Sequence, residues 1–282
     1  IAEILNKLEI KTVSEGDSLS CSVPLFREDI DNFTDLAEEV IRYYGYDKLG
    51  STFIEKAHPT IGGKSVEQKK IDYIKDYLLS FGLYEAATFS FVSEKQFDLL
   101  GIKPDDERRK YIKILNPLGE EYSVMRTQIT GSLLESLANN YRHKIDSCRL
   151  FEIARVYVPK QLPLTELPNE NYTLCVACMG ADEDFYGIKS IISGVLNKLG
   201  VKNIDYKRSV MPYLHPGVSA DVYVNGEMIG SFGKIHPETA KKFEIPEYVF
   251  AAEINLKNLL TQQISDVKFR ALPKFPIVER DL

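Results

Sequence analysis

Four carboxylates, Asp29, Asp35, Glu38 and Glu39, fall at offsets 0, 6, 9 and 10 within "REDIDNFTDLAEEVIRYYGYDKL". A helix starting near Asp35 puts Asp35, Glu38 and Glu39 at i, i+3 and i+4, on one face. Asp29, in the extended chain before it, can fold back onto that face. An all-oxygen set of this kind suits Mg²⁺, which takes a few carboxylates plus waters. The same residues also make a good helix start. Acids in a first turn complement the helix dipole, "DLAE" reads as a capping box led by Asp35, and Glu38 can pair with Arg42 at i+4. On pattern alone the helix-start reading is the stronger of the two.

Other chemistry-bearing residues give weaker signals. Cys175 and Cys178 form a CxxC, but they sit in "YTLCVACMG", which reads as a strand, where residues three apart face opposite ways. With no second CxxC they read as buried core thiols. His215 and His236 each precede a proline, which restricts them to extended backbone and suits turns. His58 and His143 have no spacing that supports a zinc site. Arg126 and Arg142, around "TQITGSLLESLANNY", read as anchors for an interface or a neighbouring carboxylate. No phosphate-cradling glycine loop, nucleophile elbow or HExxH motif occurs.

The elements that must position these groups follow from periodicity and punctuation. A short amphipathic helix over 1–9 leads to a polar turn at Glu15-Gly16-Asp17, then to a strand ending at Pro24. The acidic segment opens a helix over about 35–44, closed by Gly45. The Pro/Gly-bearing stretch 57–65 marks a boundary. Beyond it come a helix over 65–82 with Ser65 as N-cap, strands in 84–92 and 111–119, a helix over 131–143, and a long strand over 147–158. A loop over 159–171, a strand 172–179, a helix 185–199 and a strand 203–209 follow. A hairpin then turns at Asn225-Gly226, and a last strand covers 248–254. Helices mixed with antiparallel strands predict an α+β fold with one large, mostly antiparallel sheet.

The bulk numbers narrow the function classes. A net charge of −6 without a dense Lys/Arg run disfavours non-specific nucleic-acid binding. The apolar runs fall short of the ~20 residues a membrane span needs. Four cysteines without a framework spacing fit a reducing, cytoplasmic setting. The chain begins without Met and ends at "FPIVERDL", and reads as an internal fragment.

Five ordered blocks then resemble one family, the β subunit of bacterial phenylalanyl–tRNA synthetase. They are "VPLFREDIDNFTDLAEEVIRYYGYDKL", "NPLGEEYSVMRTQITGSLLESLANNYRH", "RLFEIARVY", "LHPGVSADVYVNGEMIGSFGKIHPE" and "PKFPIVERDL". The resemblance implies three parts. Residues 1–55 are a truncated winged-helix-like module, and 56–262 a class II synthetase-like core of antiparallel sheet and flanking helices. Residues 263–282 are a linker and the start of a truncated anticodon-binding domain.

The same resemblance implies a core that has lost its chemistry. Class II sites clamp ATP with an R-x-E arginine and a late Gly-rich motif ending in Arg. Here Arg149 and Glu152 stand one residue too far apart, and "YVFAAEINLKNLL" has neither glycines nor Arg. It implies, too, that Asp29, Asp35, Glu38 and Glu39 hold a Mg²⁺ shared with an α subunit, which turns the balance toward metal. The expected function is the β-subunit share of phenylalanine–tRNA ligase: scaffold, subunit interface and Mg²⁺ site. The α subunit uses ATP to charge tRNA, and the fragment alone is inactive. Residues 116–143 are the expected interface, by analogy with the class II dimerisation motif. Two other classes compete. A stand-alone carboxylate–metal hydrolase needs a nucleophile or His near the acids, and a nucleic-acid-binding winged-helix protein needs a basic recognition helix. Helix 35–44 offers only Arg42.

Overall fold

The computed structural model describes residues 1–52, 61–261, 269, 271–272, 274–275 and 278–280. Two compact units divide at Gly62/Gly63, inside the stretch expected to separate them. Half of "PKFPIVERDL", part of the expected start of an anticodon-binding domain, lies outside the described residues, as does His58.

The first unit holds α1 (Ala2–Lys7), β1 (Lys11–Glu15), β2 (Ser18–Ser22) and α2 (Phe33–Tyr44). β1 and β2 pair antiparallel around Gly16, whose φ of 64° supplies the left-handed turn residue. The sequence reading had β2 but missed β1. Asn32, and not Asp35, caps α2. The Asn32 side chain accepts from the Thr34 N–H, and Asp35 at N3 reaches back to the Asn32 N–H. The capping box is therefore present, three residues earlier than expected.

The second unit carries α3 (Val66–Ser80), β3 (Tyr84–Glu85), β4 (Phe91–Val92), α4 (Lys95–Leu99), β5 (Val124–Met125), α5 (Thr130–Arg142), β6 (Cys148–Val158) and β7 (Asn169–Met179). It continues with α6 (Phe185–Lys198), β8 (Ile204–Arg208), β9 (Leu214–Val224), β10 (Glu227–Ile235), α7 (Pro237–Lys242), β11 (Val249–Asn255) and α8 (Lys257–Thr261). Ser65 caps α3 in a box with Gln68, as its Ser-x-x-Gln spacing predicts. The expected strand over 84–92 breaks into β3, which pairs with β6, and β4, which pairs with β5 in a separate two-stranded sheet. The expected strand over 111–119 reduces to a bridge between Lys113 and Val124.

Seven strands form one sheet in the order β3-β6-β7-β11-β10-β9-β8. Every pairing is antiparallel except β3 with β6. The hairpin joining β9 and β10 turns at Asn225 (φ 52°) and Gly226 (φ 86°), both positive as a type I′ turn requires.

Both faces of the sheet are covered, so its central strands are apolar on both sides. Leu174, Val176 and Cys178 of β7 pack with Ile74, Leu78, Ile188 and Ile192 of α3 and α6. Cys175, Ala177 and Met179, alternating with them, pack with Leu133, Leu134 and Leu137 of α5. The CxxC cysteines thus point to opposite faces and are both buried.

Candidate functional site

The four carboxylates do not converge in the structure. Arg27 lies two residues before Asp29 and takes its carboxylate in a forked contact, Nε to Oδ1 at 2.9 Å and Nη2 to Oδ2 at 2.7 Å. The same Nη2 stands 3.0 Å from Glu39 Oε1, and Arg42 donates to Glu39 Oε2 at 2.6 Å. Asp35 Oδ2 accepts the N–H groups of Asp31 and Asn32, both at 2.9 Å. Glu38 is exposed and makes no ion pair among the described residues, so the expected Glu38–Arg42 pair is replaced by Glu39–Arg42.

Charge follows geometry. The Arg27 guanidinium holds the Asp29 carboxyl down at about 2. The hydrogen bond from Arg42, then that from Arg27, keeps Glu39 below the usual carboxylate range. Among the described residues no three His, Cys, Asp or Glu side chains are grouped to hold a metal ion. As arranged, Asp29 and Glu39 are paired with Arg27 and Arg42, and Asp35 spends one oxygen on the helix cap. The sequence reading missed Arg27, although a fork two residues from Asp29 was available in the spacing.

On the large sheet, Arg149 and Glu152 are each engaged by other side chains. Arg149 and Glu152, three apart on β6, point to opposite faces. Arg149 donates to Glu183 and to the Phe81 carbonyl. Glu152 is buried, and Arg126 Nη1 donates to its Oε1 at 2.9 Å while Thr88 donates to Oε2 at 2.7 Å. Arg126 Nε also donates to the Arg155 carbonyl at 3.0 Å. Arg126 is therefore the carboxylate anchor its sequence context suggested, and Arg142 lies 3.8 Å from Glu244 on the surface. His236 acts in a turn, its Nδ1 accepting the Glu238 N–H and capping α7; His215, expected in a turn, lies instead in β9, where its Nδ1 accepts the Gly217 N–H.

A groove of about 590 Å³ runs beside α5, lined by Phe89, Phe91, Gln96, Tyr122, Ser132 and Ser136 among others. Its apolar lining is partly exposed: Phe89 is 70% and Phe91 40% accessible. One side of it is formed by the segment 116–143, expected to form an interface, and the other by residues 87–96. No helix among the described residues is long and apolar enough to cross a membrane.

Comparison with known proteins places this architecture. In fold, the chain resembles pyrrolysyl-tRNA synthetase from Desulfitobacterium hafniense, with a TM-score of 0.55 over 69% of this chain and 68% of that one. At 17% identity the likeness speaks to the fold alone, a class II synthetase-type sheet with flanking helices. In sequence, it is 40% identical over 281 residues to the phenylalanine–tRNA ligase β subunit of Clostridium tetani, covering 99% of this chain and 35% of the relative. It is 34% identical over 283 residues to that of Bacillus subtilis, covering 96% and 34%. The chain thus spans about a third of the length of the curated relatives it matches. Residues 1–46 match the tRNA synthetase B5 domain, and residues 52–256 match the phenylalanyl tRNA synthetase β chain CLM domain. The chain therefore belongs to the phenylalanyl-tRNA synthetase β-chain family.

Proposed function

We propose that this chain serves as a non-catalytic scaffold and subunit-interface segment of a phenylalanine–tRNA ligase. An α-subunit partner would carry the ATP-dependent charging of tRNA, in the cytoplasm. The observation that carries this reading is the fate of Arg149 and Glu152. A triphosphate clamp needs an arginine free on the same face as its glutamate, and here Arg149 is spent on Glu183 while Glu152 is sealed against Arg126. The partly exposed apolar lining of the α5 groove supports the interface half of the proposal, since such patches mark protein–protein contacts.

The Mg²⁺ expected at Asp29, Asp35, Glu38 and Glu39 belongs to the same proposal, as an ion shared with the partner. It requires Arg27 and Arg42 to give up Asp29 and Glu39, so the partner's surface would have to reorganise this corner. The deciding experiment is light scattering after size exclusion, with the chain mixed with a phenylalanine–tRNA ligase α subunit, in Mg²⁺ and again in EDTA. A complex in Mg²⁺ that weakens in EDTA supports interface and ion together. A complex indifferent to EDTA supports the interface and returns the carboxylates to capping and pairing with Arg27. No complex overturns the interface assignment. ATP–pyrophosphate exchange by the chain alone would overturn the non-catalytic assignment.

A further inference from the structure

The seven-stranded sheet ends on β8, at the far end of the strand order from β3. Among the described residues β8 pairs with β9 alone, in an unbroken register from Ile204↔Val224 to Arg208↔Ala220. Sheet edges are ordinarily blunted by a proline, a bulge or a covering segment, because their unpaired backbone groups invite another strand. The strand "IDYKR" has no proline and no bulge against β9, and its Asp205, Lys207 and Arg208 are exposed.

One bond fixes which backbone groups face out. The Asn225 N–H donates to the Asn203 carbonyl at 3.2 Å, so that carbonyl faces β9. The peptide that follows is trans, which turns the Ile204 N–H away from β9. Alternation along an antiparallel pair then points the N–H and C=O groups of Ile204, Tyr206 and Arg208 outward. Asp205 and Lys207, two apart, share one face of the strand. Neither makes an ion pair among the described residues, and the Lys207 ammonium rests 4.4 Å from the centre of the Tyr223 ring.

We propose that β8 pairs antiparallel with β8 of a second copy of this chain, across a two-fold axis at Tyr206. Charge picks both the occupant and the register. Symmetric pairing that sets the outward backbone groups face to face can centre on residue 205, 206 or 207. Centring on Asp205 or Lys207 sets that residue against its own copy, like charge on like. Centring on Tyr206 sets each Asp205 against Lys207 of the second copy, and each Ile204 against its Arg208, in an isologous contact. The two Asp205–Lys207 pairs fall at non-hydrogen-bonded positions, where side chains across the gap are closest. A strand of uniform charge would instead meet Asp205 or Lys207 as a like charge. The edge is five residues long, a small interface, so the exchange is weak and concentration-dependent. This pairing goes beyond the subunit reading and does not rest on it.

Sedimentation equilibrium of the chain, run over the micromolar range, tests the pairing. The original chain should shift from monomer to dimer as its concentration rises. Asp205→Lys and Lys207→Asp each place like charges at both pairs, and each should raise the dissociation constant about tenfold or more. Both positions are exposed, so both variants should melt with the original chain. An equimolar mixture of the two variants should dimerise as the original does, because every pair across the mixed edge is again of opposite charge. No dimer in the original chain, a dimer that either single variant leaves intact, or a mixture that associates no better than its parts would each overturn the proposal.

Discussion

Replacing Arg126 with Met tests how the core beneath the large sheet is held together. Arg126 and Glu152 are 2% and 3% exposed, and their ion pair is 2.9 Å long. Besides Glu152, the guanidinium serves the Thr88 hydroxyl at 2.9 Å and the Arg155 carbonyl at 3.0 Å. Arg126→Met removes these contacts, and one to the Phe89 carbonyl at 3.5 Å, but keeps an apolar stem of similar reach. Among the described residues Glu152 is then left with the Thr88 hydroxyl alone, at 2.7 Å. Breaking a buried pair from one side costs roughly 3–5 kcal/mol, because a buried charge is left uncompensated. That is a large share of the roughly 5–15 kcal/mol that holds a typical domain folded.

The second arm separates the pair's net worth from the cost of an orphan. Changing both residues, Arg126→Met with Glu152→Leu, removes the orphaned charge and should recover at least about 2 kcal/mol of the loss, since buried pairs often exchange for apolar groups near neutrally. Urea unfolding reads both, followed by far-ultraviolet circular dichroism because the chain contains no Trp. A single variant that costs under about 1 kcal/mol would refute the reasoning, as the price of an uncompensated buried charge is what it rests on. A double variant no more stable than Arg126→Met would refute it too, by showing that packing or the Arg155 carbonyl dominates.

Three further outcomes follow from the same contacts. Burial, then the hydrogen bond to Glu94, pushes the Tyr111 phenol up to about 12. The folded state therefore keeps a proton that the unfolded chain releases near 10, so stability should fall as pH rises from about 10 to about 12; Tyr111→Phe should flatten that slope, read as urea midpoints against pH. Cys175 and Cys178 are buried and Cys178 is pushed up to about 12 by burial, so an aromatic disulfide reagent should titrate Cys21 and Cys148 in the native chain and the other pair only in denaturant. A methyl added at Gly230 would stand 2.0 Å from the Glu253 carbonyl of the neighbouring strand, so Gly230→Ala should force β10 and β11 apart and cost about 1–3 kcal/mol, measured by thermal unfolding.

How much of this was legible in the sequence depends on the range of the interaction that decides each feature. Ser65, Asn225-Gly226 and the alternation of Cys175 and Cys178 are settled by neighbours within a few residues, and periodicity found them. β3, β4 and the bridge at Lys113 are settled by what lies across the sheet, and the local pattern over-extended both strands. The carboxylate set shows why a pattern of ligands is an incomplete argument. Spacing puts Asp35, Glu38 and Glu39 along one helix, but it says nothing of how far each oxygen is already committed. Asp35 is committed by the cap, whose start moved to Asn32 because Asn accepts from the Thr34 N–H as well as Asp would. Asp29 and Glu39 are committed by Arg27, which lies outside the acidic pattern and so was not weighed with it. A guanidinium bridging two carboxylates answers part of the electrostatic demand that a divalent cation would meet, with one charge in place of two. A cation site read from acids alone therefore has to be read again with every arginine within a few residues, because the protein can supply its own counter-charge.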